Sequence, residues 1–116
     1  MTRIKQLHDW KLTPKEAIAL QKNLAGRVVL EDQMTAMQTV AGVDVGFEDG
    51  GATTRAAVVV LELDGLSCVE QVLARRPTEF PYVPGLLSFR ELPAVLQALE
   101  ELSIWPDVLL CDGHGI

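Results

Sequence analysis

From Thr54 to Asp64 the chain reads "TRAAVVVLELD", polar at its ends and continuously apolar in its middle. Such a run is too short for a helix of its own and reads as a central β-strand. The stretch before it, "TVAGVDVGF" (39–47), is also β-rich through Val40, Val43, Val45 and Phe47. "EDGGAT" (48–53) supplies the hairpin turn between them. "GLSC" then turns the chain into "VEQVLARRP" (69–77), a third strand. Three strands on short turns predict an antiparallel meander.

Helical periods flank this meander. Thr13, Pro14 and Glu16 form a Thr-x-x-Glu capping box with proline in the first turn. Ile18, Leu20, Leu24, Val28 and Val29 then continue a loose stripe, predicting a helix over about 14–31 that passes through Gly26. After the third strand, "TEFPYVPGLLSF" carries Pro81, Pro84 and Gly85 and reads as a rigid loop. Leu92, Val95, Leu96, Leu99 and Leu102 recur at 3- and 4-residue spacings, which predicts an amphipathic helix. "WPD" breaks it, and the solidly apolar "VLLCD" reads as a buried parallel strand. The order α-β-β-β-α-β predicts an α/β fold with a mixed sheet. Its last strand is reached by a crossover and laid parallel to an earlier one. One sheet face lacks a covering layer, which the first helix could supply only in part. The pattern therefore reads as unfinished.

Composition narrows the class. Hydrophobic residues make up 48% of 116, which excludes a disordered chain. No apolar run approaches the roughly 20 residues of a membrane span. "MTRIKQLHDWK" has no apolar signal core, so a cytoplasmic protein is expected. Cys68 and Cys111 are too few for a disulfide scaffold, and Cys111, in an apolar run, reads as a buried thiol. The net charge of −6 argues against a nucleic-acid partner. Metal ions at a carboxylate site, or basic surface carried by further chain, would lift that objection.

Three acids stand out. Asp44 lies among valines, where a carboxylate is costly unless paired, as with Arg55 on the next strand, or bound to a cation. Glu91 is either the last residue of a Ser88-x-x-Glu91 capping box or a free ligand. Pro93 complicates the capping box, since it sits best in a helix's first turn, which would place Glu91 just before the helix, and the two roles weigh about equally. Asp112 ends a parallel strand, where α/β sheets place their sites, or simply begins a turn. His114, between two glycines, is a turn residue, a phosphate contact or a proton shuttle. Trp10 and Trp105 read as packing, and His8 as solvated. Taken together, hard oxygen donors on separate elements suit Mg²⁺ or Mn²⁺, and no Cys/His cluster suits zinc. A site of this kind supports metal-assisted phosphoryl chemistry.

"VAGVDVGF", "TRAAVVVLEL", "FPYVPGLLSFRELPA" and "PDVLLCDGHGI" resemble, in order and spacing, the endonuclease V family. The resemblance implies an RNase H-like fold and Mg²⁺-dependent nicking of nucleic acid near deaminated adenine, deoxyinosine in DNA or inosine in RNA. The nick falls on the 3′ side, one nucleotide beyond the lesion, in DNA repair. It further implies Asp44, Glu91 and Asp112 as metal carboxylates. Tyr82, with Pro81, Val83, Pro84 and Gly85, becomes a wedge that enters the duplex. Gly85, Leu87 and Gly113, with His114 beside them, lie near the lesion pocket. Members of the family run to about twice this length and continue past Asp-Gly-His-Gly into a His-Pro-Arg segment. Residues 1–116 are therefore expected to be the N-terminal part of a single RNase H-like domain that is monomeric when full length. The alternative is a catalytically dead remnant that binds nucleic acid or protein.

Overall fold

A computed structural model of the chain describes residues 4–5, 7–31 and 36–111. In chain order the elements are α1 (Pro14–Ala25), β1 (Thr39–Glu48), β2 (Thr53–Glu62), β3 (Cys68–Pro77), α2 (Leu87–Glu100) and β4 (Val108–Cys111). The strands form one mixed sheet in the order β3-β2-β1-β4. β1 and β2 pair antiparallel from Thr39–Glu62 to Glu48–Thr53. β3 pairs antiparallel with β2, with a register shift at Val60/Leu61. β4 returns parallel to β1, from Val40–Val108 to Val43–Cys111. The meander, the crossover helix and the parallel return are those read from the pattern.

Alternation along β2 decides which face is the core. Thr54, Ala56, Val58 and Val60 are buried, while the residues between them are only half-buried. α2 covers the buried face with Ala94, Val95, Ala98 and Leu99, and Leu102 just beyond it joins the same cluster. Asp107 ties the start of β4 to the start of β1. Its carboxylate accepts from the Gln38 N–H at 2.8 Å and the Thr39 N–H at 3.2 Å, and its own N–H donates to Thr39 Oγ1.

The expected capping box is present. Thr13 N–H donates to Glu16 Oε1 at 2.9 Å, and Glu16 N–H to Thr13 Oγ1 at 3.2 Å. The Thr13 N–H first, and the Thr13 hydroxyl second, hold the Glu16 carboxyl below the usual carboxylate range. The helix is shorter than its stripe suggests. It ends at Ala25, where Gly26 caps it through a bond to the Leu24 carbonyl. Val28, Val29 and Leu30 are exposed, so no packing partner among the described residues extends the helix to 31. Nor does α1 cover the second sheet face. Ala17 packs with Phe80, Leu86 and Phe89 beside the start of α2.

Three local expectations are corrected. α2 begins at Leu87 with no side-chain cap, so Ser88 caps nothing and Glu91 lies inside the helix. Pro93 is in the helix interior and forfeits the hydrogen bond an N–H would make there. Cys111 is exposed, because β4 is an edge strand with little against it. Partial burial still pushes its thiol up, which keeps it protonated.

Candidate nucleic-acid interface and carboxylate site

The loop between β3 and α2 combines two buried anchors with an exposed tip. Phe80 and Leu86 are buried in a small cluster with Ala17 and Phe89. Between them Pro81, Tyr82, Pro84 and Gly85 are exposed and Val83 is half-buried. Leu86 N–H donates to the Val83 carbonyl at 3.0 Å, closing a turn with Pro84 and Gly85 at its centre. Gly85 has φ +87°, a conformation that glycine adopts without strain. Proline then glycine at these positions is the chemistry of a type II turn. The outcome is an aromatic side chain held outward: Tyr82 is 70% exposed, the most of any aromatic in the chain.

Two contacts brace this tip. Gln21 Nε2 of α1 donates to the Gly85 carbonyl at 3.2 Å, across 64 positions of sequence. The Arg90 guanidinium of α2 lies over the Phe47 ring at 4.6 Å and over the Tyr82 ring at 5.8 Å. Arg90 Nε is buried and makes no hydrogen bond among the described residues, so ring faces hold this cation. Neither Gln21 nor Arg90 stands out in the sequence as a site residue. Arg90 lies within the Phe-Arg-Glu motif, which was its one available signal. Gln21 carried none, since its partner is a backbone carbonyl far along the chain.

The carboxylates fall on two elements. Asp44 is in mid-β1 opposite Ala57, exposed, with Oδ1 accepting the Val45 N–H at 3.1 Å. Val43 and Val45 pack toward the core, so alternation puts Asp44 on the face away from α2. Glu91 is half-buried in the first turns of α2, next to Arg90. The β1–β4 register is described as far as Val43–Cys111, one position before Asp44 and Asp112. Asp112, Gly113 and His114 lie outside the described residues. Among the described residues no three His, Cys, Asp or Glu side chains are placed to share a metal ion.

Arg55 does not pair with Asp44. It bonds Glu48 at 3.4 Å, and Arg75 bonds the other Glu48 oxygen at 2.8 Å. Gly46 makes this possible, because a Cβ there would stand 2.6 Å from Arg55 Nη2. A cleft of about 860 Å³ lies elsewhere. His8, Trp10, Phe80, Phe89, Arg90 and Pro93 line it, and neither Asp44 nor Glu91 does. His8 is half-buried there with its ring edge-on to Trp10 at 4.5 Å, rather than solvated. Among the described residues, no helix is long and apolar enough to cross a membrane.

Comparison with known proteins gives a consistent result. The family profile for Endonuclease V matches residues 22–116. The endonuclease V of Trichormus variabilis is 56% identical over 115 residues, covering 98% of this chain and 52% of that protein. The crystal structure of the Streptomyces avermitilis endonuclease V is 43% identical with a TM-score of 0.82, over 90% of this chain and 46% of that one. The Ciona intestinalis endonuclease V, crystallised with a 23mer DNA containing an inosine, shares the fold. It is 23% identical with a TM-score of 0.74, over 88% of this chain and 47% of that one. The chain spans about half the length of the curated relatives it matches. The mixed sheet with its crossover helix is thus the RNase H-like fold that the sequence implied.

Proposed function

The chain belongs to the endonuclease V family, and from that premise we propose that it forms the N-terminal part of a metal-dependent endonuclease. In this reading the enzyme nicks DNA, or RNA, on the 3′ side of inosine, one nucleotide beyond the lesion. It serves DNA repair in the cytoplasm, as a monomer when full length.

The observation that carries the reading is the Tyr82 turn. An exposed aromatic ring on a Pro/Gly turn with two buried neighbours is built to enter a base stack without the loop yielding. Extruding a base costs a few kcal/mol, and an inserted side chain offsets part of that. Pro81, Val83, Pro84 and Gly85 shape the wedge. Gly85 and exposed Leu87, with Gly113 and His114, line the place where the base is received. The DNA bound by the Ciona protein contains an inosine, which supports the same substrate class.

Asp44 and Glu91, with Asp112, are the residues that would hold the metal. Their donor chemistry fits Mg²⁺, with Mn²⁺ as the alternative: Asp44 and Glu91 offer carboxylate oxygens from β1 and α2, and Asp112 brings the same hard donor type. When bound, such a cation activates water and stabilises the leaving oxygen. Asp44 is exposed and Glu91 half-buried, so neither pays the full cost of a carboxylate sealed in the core. A net charge of −6 is unusual for a nucleic-acid enzyme, and cations at the site offset part of it.

The test is nicking by the chain extended to the length of its relatives. A duplex with one deoxyinosine is compared with its adenine counterpart, with and without Mg²⁺. A Mg²⁺-dependent nick one nucleotide beyond inosine, absent from the adenine duplex, is expected. Equal cutting of both duplexes would overturn the assignment.

A further inference from the structure

We propose that Gln21 of α1 is a positioning residue for the wedge, fixing the Tyr82 turn from a distant part of the chain. The inference rests on the reading of Tyr82 as the group that enters the duplex.

The turn has a specific weak point. Phe80 and Leu86 are locked by burial, and Val83 to Leu86 is closed by one backbone bond. Gly85, the second of the turn's two central residues, is left-handed and carries no side chain to pack. A glycine at that position offers the least resistance to a force on Tyr82. At the N-terminus of α2, Leu86 supplies no side-chain capping bond that would fix the turn's backbone.

Gln21 acts at this point. Its amide grips the Gly85 carbonyl at 3.2 Å. Ala17, one helical turn earlier on α1, is fully buried against the same anchors. The helix therefore delivers the amide on a fixed base. The amide orientation follows from its partner, since a carbonyl accepts only and the contacting atom must be the NH₂ nitrogen. On the other side, Arg90 lies over the Tyr82 ring at 5.8 Å. The turn is thus braced at its backbone by α1 and at its ring by α2. Bracing matters because a wedge ordered before contact loses little freedom on insertion.

The discriminating substitution is Gln21→Glu. It preserves size and helix propensity, replaces the donor by an acceptor oxygen and adds a negative charge against the carbonyl, and the uncharged Gln21→Ala separates loss of the donor from the added charge. Losing a neutral hydrogen bond should lower kcat/KM on a deoxyinosine duplex about fivefold. The same loss should be much smaller on a single-stranded deoxyinosine oligonucleotide, where no base pair has to be opened. In a Tyr82→Ala background the Gln21→Glu effect should vanish. Gln21→Ala serves as the second donor-less variant, and thermal unfolding confirms that each variant folds.

All measurements use the chain extended to the length of its relatives. A Gln21→Glu effect that persists in Tyr82→Ala, or is equal on both substrates, would overturn the inference. So would no effect from either donor-less variant. Should Tyr82→Ala itself leave duplex nicking unchanged, the wedge reading fails first, and that failure is visible in the single variant alone.

Discussion

Leu86 and Leu87 are adjacent in sequence and opposite in role. Leu86 is 2% exposed and belongs to the cluster of Ala17, Phe80 and Phe89, while Leu87 is 45% exposed at the start of α2. Leu86→Ala removes a buried isobutyl group from a small cluster with few neighbours able to close the gap. Transfer of the lost groups and the residual cavity together cost about 3 kcal/mol. A domain of this size holds about 5–15 kcal/mol in all, so this is a large fraction. Leu87→Ala should cost no more than about 0.5 kcal/mol. Urea unfolding followed by tryptophan fluorescence reads both, because Trp10 lies edge-on to Phe89 at 5.9 Å within the cluster. The midpoint should fall steeply for Leu86→Ala with an unchanged slope, and hardly move for Leu87→Ala. In the chain extended to the length of its relatives, Leu87→Ala should still weaken binding to a deoxyinosine duplex, since its side chain faces outward beside the wedge. Equal costs at the two positions, or a loss under about 1 kcal/mol at Leu86, would refute the anchor-and-tip description of the turn.

Other expectations follow from contacts on the sheet. Arg55 and Arg75 are in direct register and share Glu48, so Glu48→Gln leaves two facing guanidiniums uncompensated. A loss of about 0.5–1 kcal/mol is expected in dilute buffer, shrinking in 1 M NaCl, as thermal unfolding at the two salt levels will show. The N–H groups of Gln38, first, and of Thr39 hold the Asp107 carboxyl below the usual range. A depressed folded-state pKa adds stability above the unfolded value, and that stability is lost as pH falls through the folded one. The gap between wild type and Asp107→Asn should therefore be full at pH 7 and close below about pH 4 in urea titrations. The face away from α2 exposes Val69, Leu73 and Leu110. The 116-residue chain should bind a hydrophobic dye strongly, and Leu73→Lys should reduce the signal; a stable monomer without dye binding would contradict this.

Much of the fold could be read from residue pattern, for identifiable reasons. The valine-rich runs of β1 and β2 and the leucine spacing of α2 each satisfy one period and one burial face. The Thr13–Glu16 box is local, so its geometry follows from spacing alone. Readings failed where a distant partner decides the outcome. Val28 and Val29 continue the stripe of α1, but nothing among the described residues buries them, and the helix ends at Gly26. Pro93 suggested a later start to α2, yet burial of Phe89 holds the preceding turn helical. Arg55 is near Asp44 in sequence terms, but Gly46 opens the way to Glu48 instead. The bracing of the Tyr82 turn depends on contacts across the chain, and no local pattern encodes it.

Metal-dependent cleavage, as distinct from recognition of the lesion by the Tyr82 turn, depends on the carboxylates. Asp44→Ala, in the chain extended to the length of its relatives, should be assayed for Mg²⁺-dependent nicking of a deoxyinosine duplex, with binding to the same duplex measured beside it. Nicking should fall by about 100-fold or more while binding persists if, as proposed, Asp44 holds the cation and the Tyr82 turn meets the lesion. Undiminished nicking by Asp44→Ala would contradict the assignment of the site.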